Sequence, residues 1–134
     1  MNDRAEAGRA GERLAASFLE RAGHRIITRN YRTPRGEIDL ITEDGDDLVF
    51  VEVRLRRSSG YGGPAASVTP GKRRRLIRAA ARYLAEGGDA DRNCRFDVVS
   101  ITAEGDRHRI EHHRNAFDGE GRATGTWSSR RREG

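Results

Sequence analysis

Two β-prone runs, Gly36 to Glu43 and Asp47 to Arg56, flank Asp44-Gly45-Asp46. This hairpin constrains the chain more than any other segment, because Asp-Gly between apolar runs is a strong short-range turn signal. Side chains alternate along a strand. Val49, Val51, Val53 and Leu55 therefore share one apolar face that should meet a helix, and Leu48, Phe50, Glu52, Arg54 and Arg56 occupy the other. In the first strand Ile38 and Leu40 point one way, and Glu37, Asp39 and Ile41 the other.

Register decides whether the acids meet. A two-residue Asp44-Gly45 turn pairs Glu43 with Asp46, sets Glu37 opposite Glu52 and leaves Asp39 diagonal to it. A four-residue loop pairs Glu43 with Leu48 and sets Asp39 opposite Glu52. Both put Asp39 and Glu52 on one face. Opposed Cβ atoms lie roughly 4.5–5.5 Å apart, and like charges there destabilise a hairpin. A bound cation reverses the sign of that term, and hard oxygen ligands suit Mg²⁺ or Mn²⁺. The bland alternative, a solvated outer face, sits poorly with Leu48 and Phe50 interleaved among the acids.

Around the hairpin, apolar spacing predicts a helix over Ala5 to Ala22, stopped by Gly23, then a strand over His24 to Tyr31. Arg57 to Val68 reads as a Ser/Gly-rich loop. A second helix follows with Thr69 as N-cap, Pro70 at its first position and Leu76, Ile77, Ala80, Tyr83 and Leu84 as its buried stripe, ending at Gly87-Gly88. Arg95 to Thr102 is a strand expected to run parallel to Leu48 to Arg54 through that crossover helix. Arg107 to His113 is a more polar, exposed edge strand, and 119–134 a flexible basic tail. The expectation is one α/β domain over residues 1–118, a central mixed sheet of about five strands flanked by two main helices.

The length of 134 residues suits a single core. A net charge of +5 favours an anionic partner, nucleic acid above all. The single cysteine, Cys94, forbids an internal disulfide and has no Cys or His beside it in sequence to suggest zinc. No run is long and apolar enough for a membrane span, and Met1 to Arg9 has no signal-peptide core, so a soluble cytoplasmic protein is expected. There is no phosphate-binding glycine motif. Of the 26 basic residues one alone, Lys72, is a lysine. Basic clusters at Arg54, Arg56 and Arg57, and at Lys72 to Arg75, are candidates to track a phosphate backbone if one end of the sheet carries both. Tyr61 could stack on a base. His108 and His112 share a strand face but stand too far apart for one metal, and Asp97 reads as a strand-end polar contact.

Arg35-Gly36-Glu37-Ile38-Asp39-Leu40-Ile41 followed by Leu48-Val49-Phe50-Val51-Glu52-Val53-Arg54 resembles the YraN family of small bacterial proteins. Gly11-Glu12, Ala65 to Lys72, Arg95-Phe96-Asp97-Val98-Val99 and Asn115-Ala116-Phe117 extend the resemblance across roughly residues 8 to 118. It implies a restriction-endonuclease-like fold akin to Holliday-junction resolvases with a PD-(D/E)xK site, and Mg²⁺- or Mn²⁺-dependent hydrolysis of phosphodiester bonds in DNA, branched DNA included. It implies that Asp39 and Glu52 bind metal and that Glu12 is the helix glutamate of the resolvase-like branch. The dimers of that fold imply a homodimer here, although no dimer surface is legible in the sequence.

Arg54 departs from the pattern, which expects lysine. Arginine stabilises negative charge but does not readily give up a proton. Lys72, one turn before Leu76 on the same stripe, is the candidate to supply that amine. The competing readings are a DNA-binding module of the same fold without turnover, which Arg54 favours, and an adaptor in a DNA-processing assembly.

Overall fold

The computed structural model describes residues 3–56, 68–87, 92–121 and 128–133. Helix α1 (Asp3–Arg21) leads into β1 (Arg25–Thr33), β2 (Gly36–Asp44) and β3 (Asp47–Arg56); α2 (Pro70–Gly87) is followed by β4 (Cys94–Glu104), β5 (Arg107–Phe117) and β6 (Ser128–Glu133). The strands form one mixed sheet in sequence order. Every neighbouring pair is antiparallel except β3 and β4, which run parallel from Leu48↔Cys94 to Arg56↔Thr102 on either side of the α2 crossover. The α/β architecture and the parallel pair agree with the sequence. The edge does not: β6 pairs with β5, so the segment read as part of a tail adds a sixth strand, and β5 lies inside the sheet.

The helices cover opposite faces. Ala15, Ala16, Phe18 and Leu19 of α1 bury Leu40, Val49, Val51, Val99, Ile101 and Ile110. On the other face Leu76, Ala79 and Ala80 of α2 close over Ile41, Leu48, Phe50, Phe96, Val98 and Phe117. The hairpin face that mixed acids with Leu48 and Phe50 is thus half core and half site. Phe50, fully buried, stacks at a tilt against Phe96 at 5.5 Å and meets Tyr83 edge-on.

Helix α2 starts as its sequence dictates. Thr69 Oγ1 accepts the Lys72 backbone N–H at 3.2 Å, and Pro70 needs no partner at the first position. Two close approaches then lock the helices to the hairpin. A Cβ on Gly36 would lie 2.0 Å from the Arg75 carbonyl oxygen, so glycine alone lets α2 press onto the start of β2. A Cβ on Gly11 would meet the Leu55 side chain at 2.5 Å, a softer approach of α1 to the end of β3 because that exposed side chain can turn aside. Between these contacts strict alternation along β2 fails: Ile38 packs beneath α2, but Leu40, two residues on, packs beneath α1. Asp39 sits at that break.

Candidate active site

The hairpin closes with a two-residue loop, Gly45 and Asp46, between Asp44 and Asp47. The register is therefore Glu43↔Leu48, Thr42↔Val49, Ile41↔Phe50 and Leu40↔Val51. Continued one residue, it sets Asp39 opposite Glu52. Beyond Leu40↔Val51 the two strands no longer pair, while β3 stays on β4 through Arg56. The Asp39 carboxylate fills the fork: its Oδ2 accepts the Val53 backbone N–H at 2.7 Å, taking the place of a strand carbonyl. A side-chain group thus satisfies a backbone donor where the ladder ends.

The two acids perturb each other. Asp39 and Glu52 hydrogen-bond to each other. Burial, then the Glu52 charge, pushes the Asp39 carboxyl up to about 8, against the Val53 N–H that favours its ionised form. Glu52 is raised as well, again mainly by burial, with Arg54 and Lys72 opposing. Two carboxyls this close do not both ionise without a compensating charge. All the donors are oxygens, and a hard divalent cation is the charge such a set accepts. The pair therefore fits Mg²⁺ or Mn²⁺.

Glu12 reaches the same point from α1. Burial raises its pKa first and the Asp39 charge second, while a hydrogen bond with the Asn30 side chain lowers it. Beside Glu52, a cavity of about 80 Å³ is lined by Glu37, Lys72, Arg75 and Leu76. Lys72 is exposed at its rim and its charge acts on Glu52. Arg54 Nη1 stands 3.8 Å from Glu52 Oε2, and its buried Nε has no hydrogen-bond partner among the described residues. Glu12, Asp39, Glu52, Arg54 and Lys72 are thus all neighbours in space, although they come from α1, β2, β3 and α2.

The basic candidates divide. Arg75 lines the cavity, Arg74 is exposed, and Arg56 is half-buried at the end of β3. Arg73 is committed to the fold: it donates to the Val68 and Gly121 carbonyls at 2.8 and 2.9 Å and lies over the Phe117 ring. Arg57 and Tyr61 lie outside the described residues.

Glu37 and Asn30 also belong to the site, although sequence reasoning gave neither a role there. Glu37 lines the cavity, adds negative charge to Asp39, Glu52 and Glu12, and faces Arg32 at 3.6 Å. Asn30 holds Glu12 from a left-handed backbone position, φ 54°. Asparagine is among the few non-glycine residues that tolerate that region, and its place inside a β-prone run was the available signal. Asp97, by contrast, is fully buried and belongs to a different cluster.

The profile of the uncharacterised protein family UPF0102 matches residues 11–101. The chain is 48% identical over 118 residues to a UPF0102 protein of Desulfosudis oleivorans, covering 88% of this chain and 94% of that one. Over 112 residues it is 51% identical to a UPF0102 protein of Geobacter sulfurreducens, covering 83% and 88% of the two chains. Over 111 residues it is 52% identical to one of Symbiobacterium thermophilum, covering 82% and 94%. No described helix is long and apolar enough to cross a membrane.

Proposed function

The chain belongs to the uncharacterised protein family UPF0102, which is the YraN family, and we propose that it hydrolyses phosphodiester bonds in DNA with a divalent cation held by Asp39 and Glu52. The observation that carries this reading is the fork itself. Asp39 and Glu52 stand half-buried side by side where β2 and β3 part, each acting on the other, with Glu12 behind them and Lys72 on the rim of the adjoining cavity. A pair of acids kept in that costly arrangement favours a cation as its occupant.

Asp39 and Glu52 would hold Mg²⁺ or Mn²⁺, with Glu12 helping from α1. When bound, the ion supplies Lewis-acid polarisation of a phosphoryl oxygen and lowers the pKa of a bound water. Asp39 itself is oriented by the Val53 N–H, so one of its oxygens is fixed before any ligand arrives. Lys72 can place an ammonium beside a scissile phosphate and move a proton, the role Arg54 is chemically unfit for. Arg54, already drawn toward Glu52, can stabilise charge developing on the phosphorane. Arg74 and Arg75 extend positive charge along α2 for the flanking phosphates.

The test is cleavage of a labelled four-way junction and a matching linear duplex in Mn²⁺ by the native protein and by Glu52→Gln. Cleavage that disappears in Glu52→Gln supports the reading, and preference for the junction with a dimer in light scattering supports a resolvase-like substrate. Native protein that binds DNA without cutting it favours the second reading, a binding module. Arg54 at the usual lysine position is the observation on that side.

A further inference from the structure

On the opposite face of the sheet, under the C-terminal end of α1, lies a polar cluster that the proposed hydrolysis does not use. His24, Asp97 and His112 are 4%, 0% and 1% exposed, and one ligand atom from each lies within 4.8 Å of the others. The fold brings them there by three routes. The turn that ends α1 fixes His24: its N–H reaches back to the Leu19 carbonyl and that of Gly23 (φ 99°) to Glu20, the paired bonds of a Schellman motif. Asp97 is the partner of Val51, and His112 the partner of Val99, both on the α1 face. Phe18 of α1 closes over His112 edge-on, and the two imidazoles meet at 5.5 Å.

We propose that His24, Asp97 and His112 form a second cation site, selective for a borderline transition ion such as Zn²⁺ and separate from the carboxylate fork. Two imidazoles and one carboxylate are a zinc-type donor set, unlike the all-oxygen set of Asp39 and Glu52. The His24 ring is oriented as a ligand ring is: Nδ1 lies 2.8 Å from Thr42 Oγ1, while Nε2 is buried and makes no hydrogen bond among the described residues. Asp97 keeps its charge despite its burial, since His112 Nε2, Arg95 Nε and the Asn115 N–H bond to it at 2.7, 3.1 and 2.9 Å.

Charge and geometry supply the rest. Arg95 is shared among Asp44, Asp47 and Asp97 at 2.8, 2.9 and 3.1 Å, and Arg114 also acts on Asp44. Three carboxylates, those of Asp44, Asp47 and Asp97, thus face the guanidinium groups of Arg95 and Arg114. Asp44 Oδ2 stands 3.5 Å from His24 Nε2 and is the natural fourth ligand. Zinc–ligand bonds of roughly 2.0–2.1 Å place tetrahedral donors about 3.3 Å apart. The ion must therefore replace the hydrogen bond between His112 Nε2 and Asp97, part that 2.7 Å pair slightly and draw His24 toward it, with the bridging proton leaving to the other ring nitrogen or to solvent.

The experiment uses full-length protein carrying Asp39→Asn and Glu52→Gln, so that the fork holds no ion, stripped with chelator and titrated with Co²⁺ and then Zn²⁺. The expected result is one equivalent of Co²⁺ with the intense visible absorption of a tetrahedral site, displaced by Zn²⁺, and a loss of at least tenfold in affinity in His24→Gln and in His112→Gln. Imidazole ¹⁵N signals followed in the unsubstituted protein provide a readout that does not depend on those variants folding. Zn²⁺ should shift the rings of His24 and His112 and leave that of His108 in place. Absence of bound Co²⁺ in the fork variant, binding retained in His24→Gln, or unmoved His24 and His112 rings would each overturn the assignment.

Discussion

Replacing Asp39 by asparagine should stabilise the metal-free protein at alkaline pH while abolishing its response to Mn²⁺. Asparagine keeps an oxygen for the Val53 N–H and removes the charge that Glu52 opposes. Asp39 is an acid whose folded-state pKa, about 8, lies well above the ordinary 3.8. The folded chain therefore holds a proton that the unfolded chain releases. That contribution to stability is complete below about pH 4 and is lost as pH rises through about 8. The distance from 3.8 to about 8, at roughly 1.4 kcal/mol per pH unit, sets a ceiling of about 6 kcal/mol. The asparagine also loses the acid–acid hydrogen bond with Glu52, worth about 1–2 kcal/mol, and Lys72 and Arg54 already offset part of the repulsion. A differential of about 2–3 kcal/mol between pH 5 and pH 9 remains, which for a domain of this size is about 10 °C in Tm. The assay is thermal unfolding in EDTA across that range. Native protein should lose stability relative to Asp39→Asn as pH rises; parallel profiles would refute the mutual repulsion of Asp39 and Glu52. Adding Mn²⁺ at pH 8 should then raise the native Tm and leave that of Asp39→Asn unmoved.

Glu52→Gln should behave likewise toward metal: at a hundredfold excess over Kd, Mn²⁺ should stabilise native protein by about 2.7 kcal/mol and the variant by almost nothing in the same melts. Lys72→Arg should lower any cleavage rate by about 10²-fold or more with Tm unchanged, because Lys72 is exposed and its role is at the phosphate; an unchanged rate removes Lys72 from the mechanism. Gly36→Ala should destabilise by about 1–3 kcal/mol in urea melts and reduce cleavage too, since its Cβ would sit 2.0 Å from the Arg75 carbonyl and push α2, with Lys72, away from the fork.

What was legible in the sequence follows from how local each signal is. The Asp-Gly turn and strand alternation place Asp39 and Glu52 on one face whichever even loop closes the hairpin, so the acid pair needed no tertiary information. The loop itself, Gly45 and Asp46, selects the register in which they are directly opposed. The α2 start was equally local, because Thr69 and Pro70 carry the cap in their side chains. Arg73 shows the limit. In sequence it is one of four consecutive basic residues, but a helical turn rotates each to a different direction, and its own faces Phe117 and the Val68 carbonyl.

The α1-face cluster was illegible for a related reason. His112 belongs to a polar run, Arg107 to His113, whose composition describes an edge strand. Polarity reports solvent exposure only when the polar groups have no partners inside, and here they do: Asp97 meets His112 at 2.7 Å, Arg95 spans three aspartates, and β6 covers the strand's open side. His24, Asp97 and His112 are separated by 73 and 15 residues in the chain and adjoin only because β3 and β4 pair in parallel while β4 and β5 pair antiparallel. Spacing rules for metal ligands presuppose donors on one turn or one hairpin, and a site assembled from a helix terminus and two strands leaves no such spacing. The same parity that sends Glu52 toward α2 sends Asp97 toward α1, so the sheet separates an all-oxygen site from a nitrogen-containing one by its own thickness. Helix α1 reaches both, the fork through Glu12 and the histidine cluster through Phe18 near its end, but the donors lie on opposite faces of the sheet and differ in chemistry, so Mn²⁺ and Co²⁺ titrations of the two sets of variants should be independent.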